Sequence, residues 1–176
     1  MKNLLALFSV LVFALSISAQ KTTNAPTAAP QPTFSALNMA GQNVDIATLR
    51  GKVVVLNLWF INCPNCIEEI TLLNQLVDQY KDNKDVVFVS LAASKKADLQ
   101  QFVKKHPFKY QIIPDATIII LSKFGTPDKN GDINIPFPMH YVLDRDGEVV
   151  VKVQGIKGVD AVKKELEKQF TKKAGS

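Results

Sequence analysis

The chain carries two cysteines, Cys63 and Cys66, separated by Pro64 and Asn65. Two cysteines this close cannot staple distant parts of a fold, so their chemistry is local. The segment before them, Val53-Val54-Val55-Leu56-Asn57-Leu58-Trp59-Phe60, is a nearly continuous apolar run of strand formers. Such a run fits a strand buried on both faces. After them, Cys66, Ile70, Leu73, Val77 and Tyr80 follow three- and four-residue steps, widened by Leu72 and Leu76. That stripe predicts an amphipathic helix. A strand that runs into Cys-x-x-Cys and out into a helix sets Cys63 at or just before the first helical residue. There the free N–H groups and the positive end of the dipole favour its thiolate, which is the nucleophile of disulfide exchange. Pro64 suits the first turn, where its missing N–H goes unused. Cys66 falls on the buried stripe and is better placed to resolve a mixed disulfide than to begin one.

The same helix separates two acids. By the 3.6-residue period Glu69 stands about 60° round from Cys66 and Glu68 about 160°. Glu69 is therefore the carboxylate expected beneath the cysteines, and Glu68 faces solvent. Burial there would favour the protonated form of Glu69 and let it exchange protons with Cys66. A glutamate with no role is the alternative that spacing leaves open. The chain's two histidines are His106 and His140. With the cysteines they make a nominal zinc set, but they lack the short histidine spacing of structural sites, and no metal is expected. Asp128-Lys129-Asn130-Gly131-Asp132 lacks the spacing and closing glutamate of a calcium loop, and reads as a turn. His140 either tunes Cys63 or makes a local hydrogen bond in its strand. The second reading is the favoured one.

The scaffold for these groups is an ordinary globular chain of 176 residues, 47% hydrophobic and 21% charged, long enough for one proper core. Lys2, an uncharged apolar run from Leu4 to Ile17, and Ser16, Ser18 and Ala19 mark residues 1–19 as a secretory signal peptide, cut near Ala19–Gln20. Left uncut, it would be a membrane anchor, although the run is short for a full span. Residues 20–33 are Pro-, Ala- and Thr-rich and read as a flexible linker. A single domain over 34–170 and a disordered tail over 171–176 complete the chain. The formal net charge of +5 comes from scattered lysines, which read as solvated helix faces and not as a nucleic-acid patch.

Within the domain a hairpin is expected through Phe34–Leu37 and Asn43–Asp45, turning at Ala40-Gly41. One helical turn follows over 46–50. A second buried strand is expected from Val86 to Ser90, and a helix from Ala97 to Lys105 that Pro107 stops. A short strand covers 110–113. The three isoleucines of Thr117–Phe124 favour a strand, whereas Asp115 offers a helix cap. Met139–Leu143 and Glu148–Gln154 form a hairpin about Asp144-Arg145-Asp146-Gly147. Val159, Val162, Leu166 and Phe170 mark a last amphipathic helix. The order indicates an α/β fold, a central mixed β-sheet flanked by helices on both faces.

Asn57 to Glu69, with its aromatic-rich strand, Cys-x-x-Cys and glutamate three residues later, resembles the active-site segment of the TlpA/ResA-like thioredoxin family. Phe137-Pro138-Met139-His140-Tyr141-Val142-Leu143-Asp144-Arg145-Asp146-Gly147 resembles that family's cis-proline strand and hairpin. The likeness runs from Phe34 to Phe170. It implies a thioredoxin-like fold with an N-terminal β-hairpin and a helix–strand insert near 92–124, which favours a helix for Thr117–Phe124. It implies that Cys63 attacks, Cys66 resolves, Pro138 is the cis-proline beside the disulfide, and Glu69 is the family's buried glutamate. Trp59 matches the tryptophan packed under the site, and Trp59, Pro64, Asn65 and Phe137 are expected to border the substrate. Asn57 falls where ordinary thioredoxins have a buried aspartate, which leaves proton work to Glu69. Asn62, Thr71, Met139-His140 and a longer 126–136 loop depart from the family pattern and bear on partner choice.

The activity so implied is extracytoplasmic thiol–disulfide exchange, reducing protein disulfides and acting in cytochrome c maturation. It needs no cofactor beyond the Cys63–Cys66 disulfide. The expected partners are a protein disulfide or dithiol and a membrane thiol donor such as a DsbD-like protein, with the chain a monomer in the periplasm. A thiol peroxidase is the rival enzyme. Its cysteine sits in a Pro-x-x-x-Thr/Ser-x-x-Cys context, and Leu56–Cys63 offers neither the proline nor the hydroxyl. A peptide-binding module without turnover would not need two intact cysteines.

Overall fold

The structure, a computed structural model, describes residues 32–171. The expected signal peptide, the expected linker up to residue 31 and the expected tail after residue 171 lie outside the described residues. Pro32 is already buried.

Ser35–Leu37 (β1) pairs antiparallel with Asn43–Asp45 (β2), and a 3₁₀ turn spans Ile46–Leu49. The Asp45 carboxylate caps that turn by accepting from the Ala47 N–H. Val53–Trp59 (β3) and Pro64–Gln79 (α1) follow, then Val86–Ala92 (β4), Lys96–Lys105 (α2), Gln111–Ile113 (β5) and Thr117–Phe124 (α3). Thr126–Pro127 (β6) and Ile133–Asn134 (β7) form a small hairpin. Met139–Leu143 (β8), Val149–Gln154 (β9) and Gly158–Thr171 (α4) close the domain. The sheet order is β5-β4-β3-β8-β9. β3, β4 and β5 are parallel, while β8 and β9 run antiparallel to their neighbours. This is the mixed sheet that the order of elements indicated.

Every residue of β3 is buried, and successive side chains point to opposite faces. Val54, Leu56 and Leu58 join a core with Phe34 and Val44 of the N-terminal hairpin region and Ile120 and Phe124 of α3. Val53 and Val55 join Leu76 of α1, Val142 of β8, and Val162 and Leu166 of α4. The alternation therefore fixes which positions of β3 look towards α1, and Asn57 is one of them.

One open reading is settled and two expectations needed correction. Thr117–Phe124 is a helix because Ile120 and Phe124, one turn apart, bury together, so tertiary packing overrides the β-branched preference. Ile118 points outward, 75% exposed. Asp115 does not cap that helix: its Oδ2 accepts from the Lys96 N–H at the start of α2. Leu72 does not widen the buried stripe of α1 and is exposed. At about 100° per residue it lies about 120° from Cys66, outside the arc that Glu69, Ile70, Leu73 and Leu76 bury.

Candidate active site

β3 ends at Trp59, and after three intervening residues the chain enters α1 through Cys63. Cys63 is the N-cap, and its Sγ accepts from the Cys66 N–H at 3.2 Å. Pro64 occupies the first turn. The approach is held by the Cys63 N–H on the Phe60 carbonyl at 3.2 Å and the Ile61 N–H on Ser94 Oγ at 3.1 Å. Cys63 and Cys66 are joined as a disulfide, with Cα atoms 5.2 Å apart. Both are buried, Cys63 at 6% exposure and Cys66 at 1%. The Cys66 N–H and the positive end of the helix dipole thus face the Cys63 sulfur, which stabilises negative charge there. Cys66, deeper and already inside the helix, receives no such help.

The aromatic surroundings divide into a floor and a rim. Trp59 stacks on Phe108 at 4.7 Å, lies 5.5 Å from Phe102, and donates its Nε1–H to Ser90 Oγ at 3.2 Å. At 1% exposure Trp59 supports the cysteines from below and does not border the substrate as expected. The odd-numbered side of β3 points it into the interior. Pro64 and Asn65 are exposed beside the disulfide. The Phe137–Pro138 peptide bond is cis. The register Leu58↔Met139 sets Pro138 alongside the end of β3, and the Phe137 ring meets Phe60 edge-on at 5.2 Å. Phe137 packs against the cluster that holds both cysteines.

Beneath the disulfide sits a polar cluster. Glu69 is fully buried while Glu68 is exposed, as the helical angles indicated. Asn57 Nδ2 donates to Glu69 Oε1 at 2.8 Å, and His140 Nε2 lies 3.1 Å from Glu69 Oε2. Asn57 and His140 are direct cross-strand partners between β3 and β8, so they share the face that looks at α1. The bond of His140 is therefore not the local one favoured from sequence. Side chains leave the plane of their own strand, and the partner comes from a helix 71 positions away. Only the β3–β8 register reveals this. A polar residue in an otherwise apolar strand, Tyr141-Val142-Leu143 after His140, was the one signal available. The Tyr110 hydroxyl is also buried without a partner. Burial first, and then the charge of Glu69, hold it well above the usual tyrosine range.

The other singled-out residues lie elsewhere. His106 stacks on Phe102 at 4.5 Å, away from Glu69. Asp128 Oδ1 accepts from the Asn130 N–H at 2.7 Å and the Asp132 N–H at 3.1 Å, closing the β6–β7 turn. That hairpin is the form taken by the longer loop before Pro138.

A Cys-x-x-Cys disulfide capping the first helix after a central strand, with a cis-proline beside it on a mixed sheet, defines a thioredoxin-fold thiol–disulfide oxidoreductase. Known proteins agree. Residues 27–152 match the AhpC/TSA family. The thiol-disulfide oxidoreductase ResA of Bacillus thuringiensis subsp. konkukian is 28% identical over 142 residues, covering 80% of this chain and 75% of ResA. A thiol:disulfide interchange protein of the thioredoxin family from Chlorobium tepidum shares the fold with a TM-score of 0.64 at 22% identity, over 78% of this chain and 95% of its own. A secreted disulfide oxidoreductase of Mycobacterium tuberculosis, homologous to E. coli DsbE, matches with a TM-score of 0.56 at 27% identity, over 70% and 84% of the two chains. The chain belongs to the AhpC/TSA family and, within its thioredoxin-like members, is a TlpA/ResA-like redox enzyme.

Proposed function

We propose that this protein works outside the cytoplasm as a reductase of protein disulfides, with Cys63 as attacking and Cys66 as resolving cysteine. The observation that carries the assignment is the N-cap position of Cys63, whose sulfur receives the Cys66 N–H. In the reduced protein the Cys63 thiolate attacks a substrate disulfide. One substrate sulfur leaves as thiolate and takes a proton from solvent, and a mixed disulfide forms. The Cys66 thiol then gives its proton to Glu69 and its sulfur attacks Cys63 Sγ. The mixed disulfide breaks, the second substrate thiolate departs, and the Cys63–Cys66 disulfide closes. Two electrons have moved from the dithiol to the substrate. No cofactor enters this balance. A membrane thiol donor such as a DsbD-like protein would restore the dithiol.

Pro138 and Phe137 line the strand on which the substrate backbone lies, and Pro64 and Asn65 form the exposed opposite rim. Export rests on the leader-like residues 1–19 and on the secreted character of the Mycobacterium tuberculosis relative. The likeness to ResA suggests apocytochrome c as one substrate, met by a monomeric enzyme. A peroxidase is not supported, because Leu56–Cys63 holds neither the proline nor the hydroxyl residue of a peroxidatic cysteine.

The assignment of roles is tested by trapping. Cys66→Ser, reduced and mixed with a disulfide-bonded protein such as insulin, should accumulate a mixed disulfide visible by mass. Cys63→Ser should accumulate none. Trapping by the Cys63 variant alone would reverse the roles, and trapping by neither would remove the exchange mechanism.

A further inference from the structure

The proton step just proposed needs Glu69 ionised when Cys66 must lose its proton, yet the carboxyl is fully buried, where burial opposes charge. Polar partners on both oxygens offset that cost. Asn57 supplies one to Oε1. The other lies on β8: His140, fully buried, brings Nε2 to within 3.1 Å of Oε2. We infer that His140 is a positioning residue of the exchange reaction, donating Nε2–H to Glu69 so that the carboxylate is ready to receive the Cys66 proton.

Three further features support this role. First, His140 Nδ1 is buried and has no partner. An imidazolium would need acceptors at both nitrogens, and one is provided. Nε2, the nitrogen with a partner, is therefore the one set to donate, and it faces the carboxylate. Second, the ring has a built place. A Cβ at Gly158, the first residue of α4, would stand 2.9 Å from His140 Cδ2 and 2.9 Å from Val153 Cγ2, so glycine leaves the space that the imidazole fills. Third, little else acts on the carboxylate. Among the described residues the titratable groups around the pair are Cys66 on α1, His140 on β8 and the Tyr110 hydroxyl before β5. β3 brings the neutral Asn57, while β9 and α4 bring Val153 and Gly158. A hydroxyl or apolar residue at position 140, too short or lacking a donor, would leave Oε2 bare, and Glu69 would keep its proton to higher pH.

The inference rests on the exchange reading above, and one set of measurements separates the two. The reduced protein is mixed with oxidised glutathione, and the resolving phase is followed across pH by fluorescence of Trp59, the chain's one tryptophan. His140→Phe should move the acid limb of that phase upward by about one pH unit or more, the effect of losing a hydrogen bond to a charged group, while the alkaline plateau holds. His140→Gln, whose amide reaches as Nε2 does, should bring the limb back. Gly158→Ala, which crowds the ring, should move it in the same direction by less. A limb for His140→Phe that coincides with wild type overturns the inference, as does equal slowing at every pH with His140→Gln no better. If His140→Phe does not fold, Gly158→Ala decides, and an unmoved limb overturns it. Glu69→Gln is the separating arm: a limb that survives it removes the proton-acceptor role itself, whereas a limb lost there but unmoved in His140→Phe removes His140 alone.

Discussion

The two faces of the β3–β8 pair carry equally buried side chains and do different jobs. On one face Val54, Leu56, Leu58, Met139 and Leu143 meet α3 and the N-terminal hairpin in a hydrocarbon and aromatic core. On the other, in the same strands, Asn57 and His140 stand side by side and reach Glu69 of α1. A buried polar group contributes less to stability than well-packed hydrocarbon even when every hydrogen bond is made. One face is built for stability, and the other gives up part of it to keep an ionisable group under a disulfide. Strand alternation makes the arrangement possible, since neighbouring residues of one strand can serve either purpose without interfering.

That division can be broken from each side. The largest effect on stability should come from Leu56→Ala, which empties a fully buried position on the apolar face and should cost about 2–5 kcal/mol. Urea unfolding measures the loss. Under folding conditions the exchange rate should stay within about twofold of wild type. A Leu56→Ala protein of normal stability but impaired exchange would contradict the division.

Alkali should act next. Burial holds the Tyr110 hydroxyl well above the usual range and pushes Tyr141 up to about 12. A raised folded value means that the contribution is whole below about pH 10, where tyrosines of the unfolded chain begin to ionise, and is lost as pH climbs through the folded values. Urea midpoints should therefore be level from pH 8 to about 9.5 and fall above about 10. Tyr141→Phe should soften that fall. A midpoint that stayed level through about pH 11 would contradict the burial of these hydroxyls. The smallest effect belongs to Glu68→Gln. Glu68 is exposed on the solvent side of α1, and this change should move neither exchange nor stability beyond about 0.5 kcal/mol, which stopped-flow rates and urea midpoints would check.

Much of this was legible in the sequence where the signal was local. The apolar run of β3, the Cys63 cap, Pro64 in the first turn and the angular separation of Glu69 from Glu68 each follow from a short stretch of chain. The likeness to a known family added the cis-proline at Pro138. What stayed hidden depended on distant segments meeting. Thr117–Phe124, whose residues alone left strand and helix open, is a helix because Ile120 and Phe124 share a core. Trp59, placed under the site by the family likeness, is closed off from the surface because α2 and Phe108 cover it, which its own segment does not encode. His140 met Glu69 through the register of β3 against β8, which no spacing within either segment encodes. Gly158 was silent in the sequence and acquires a reason from the ring beside it.

The account turns on Glu69 as the group that moves the proton of Cys66, and Glu69→Gln tests it most directly. The amide keeps the shape of the side chain and removes its ability to take a proton. Stopped-flow exchange of wild type and Glu69→Gln with a model disulfide should be compared across pH. The account predicts that the variant resolves about tenfold more slowly near neutral pH, equivalent to about 1.4 kcal/mol of barrier, and loses the acid limb of the profile while remaining folded. Superimposed profiles for the two proteins would contradict it and return Glu69 to a purely structural role.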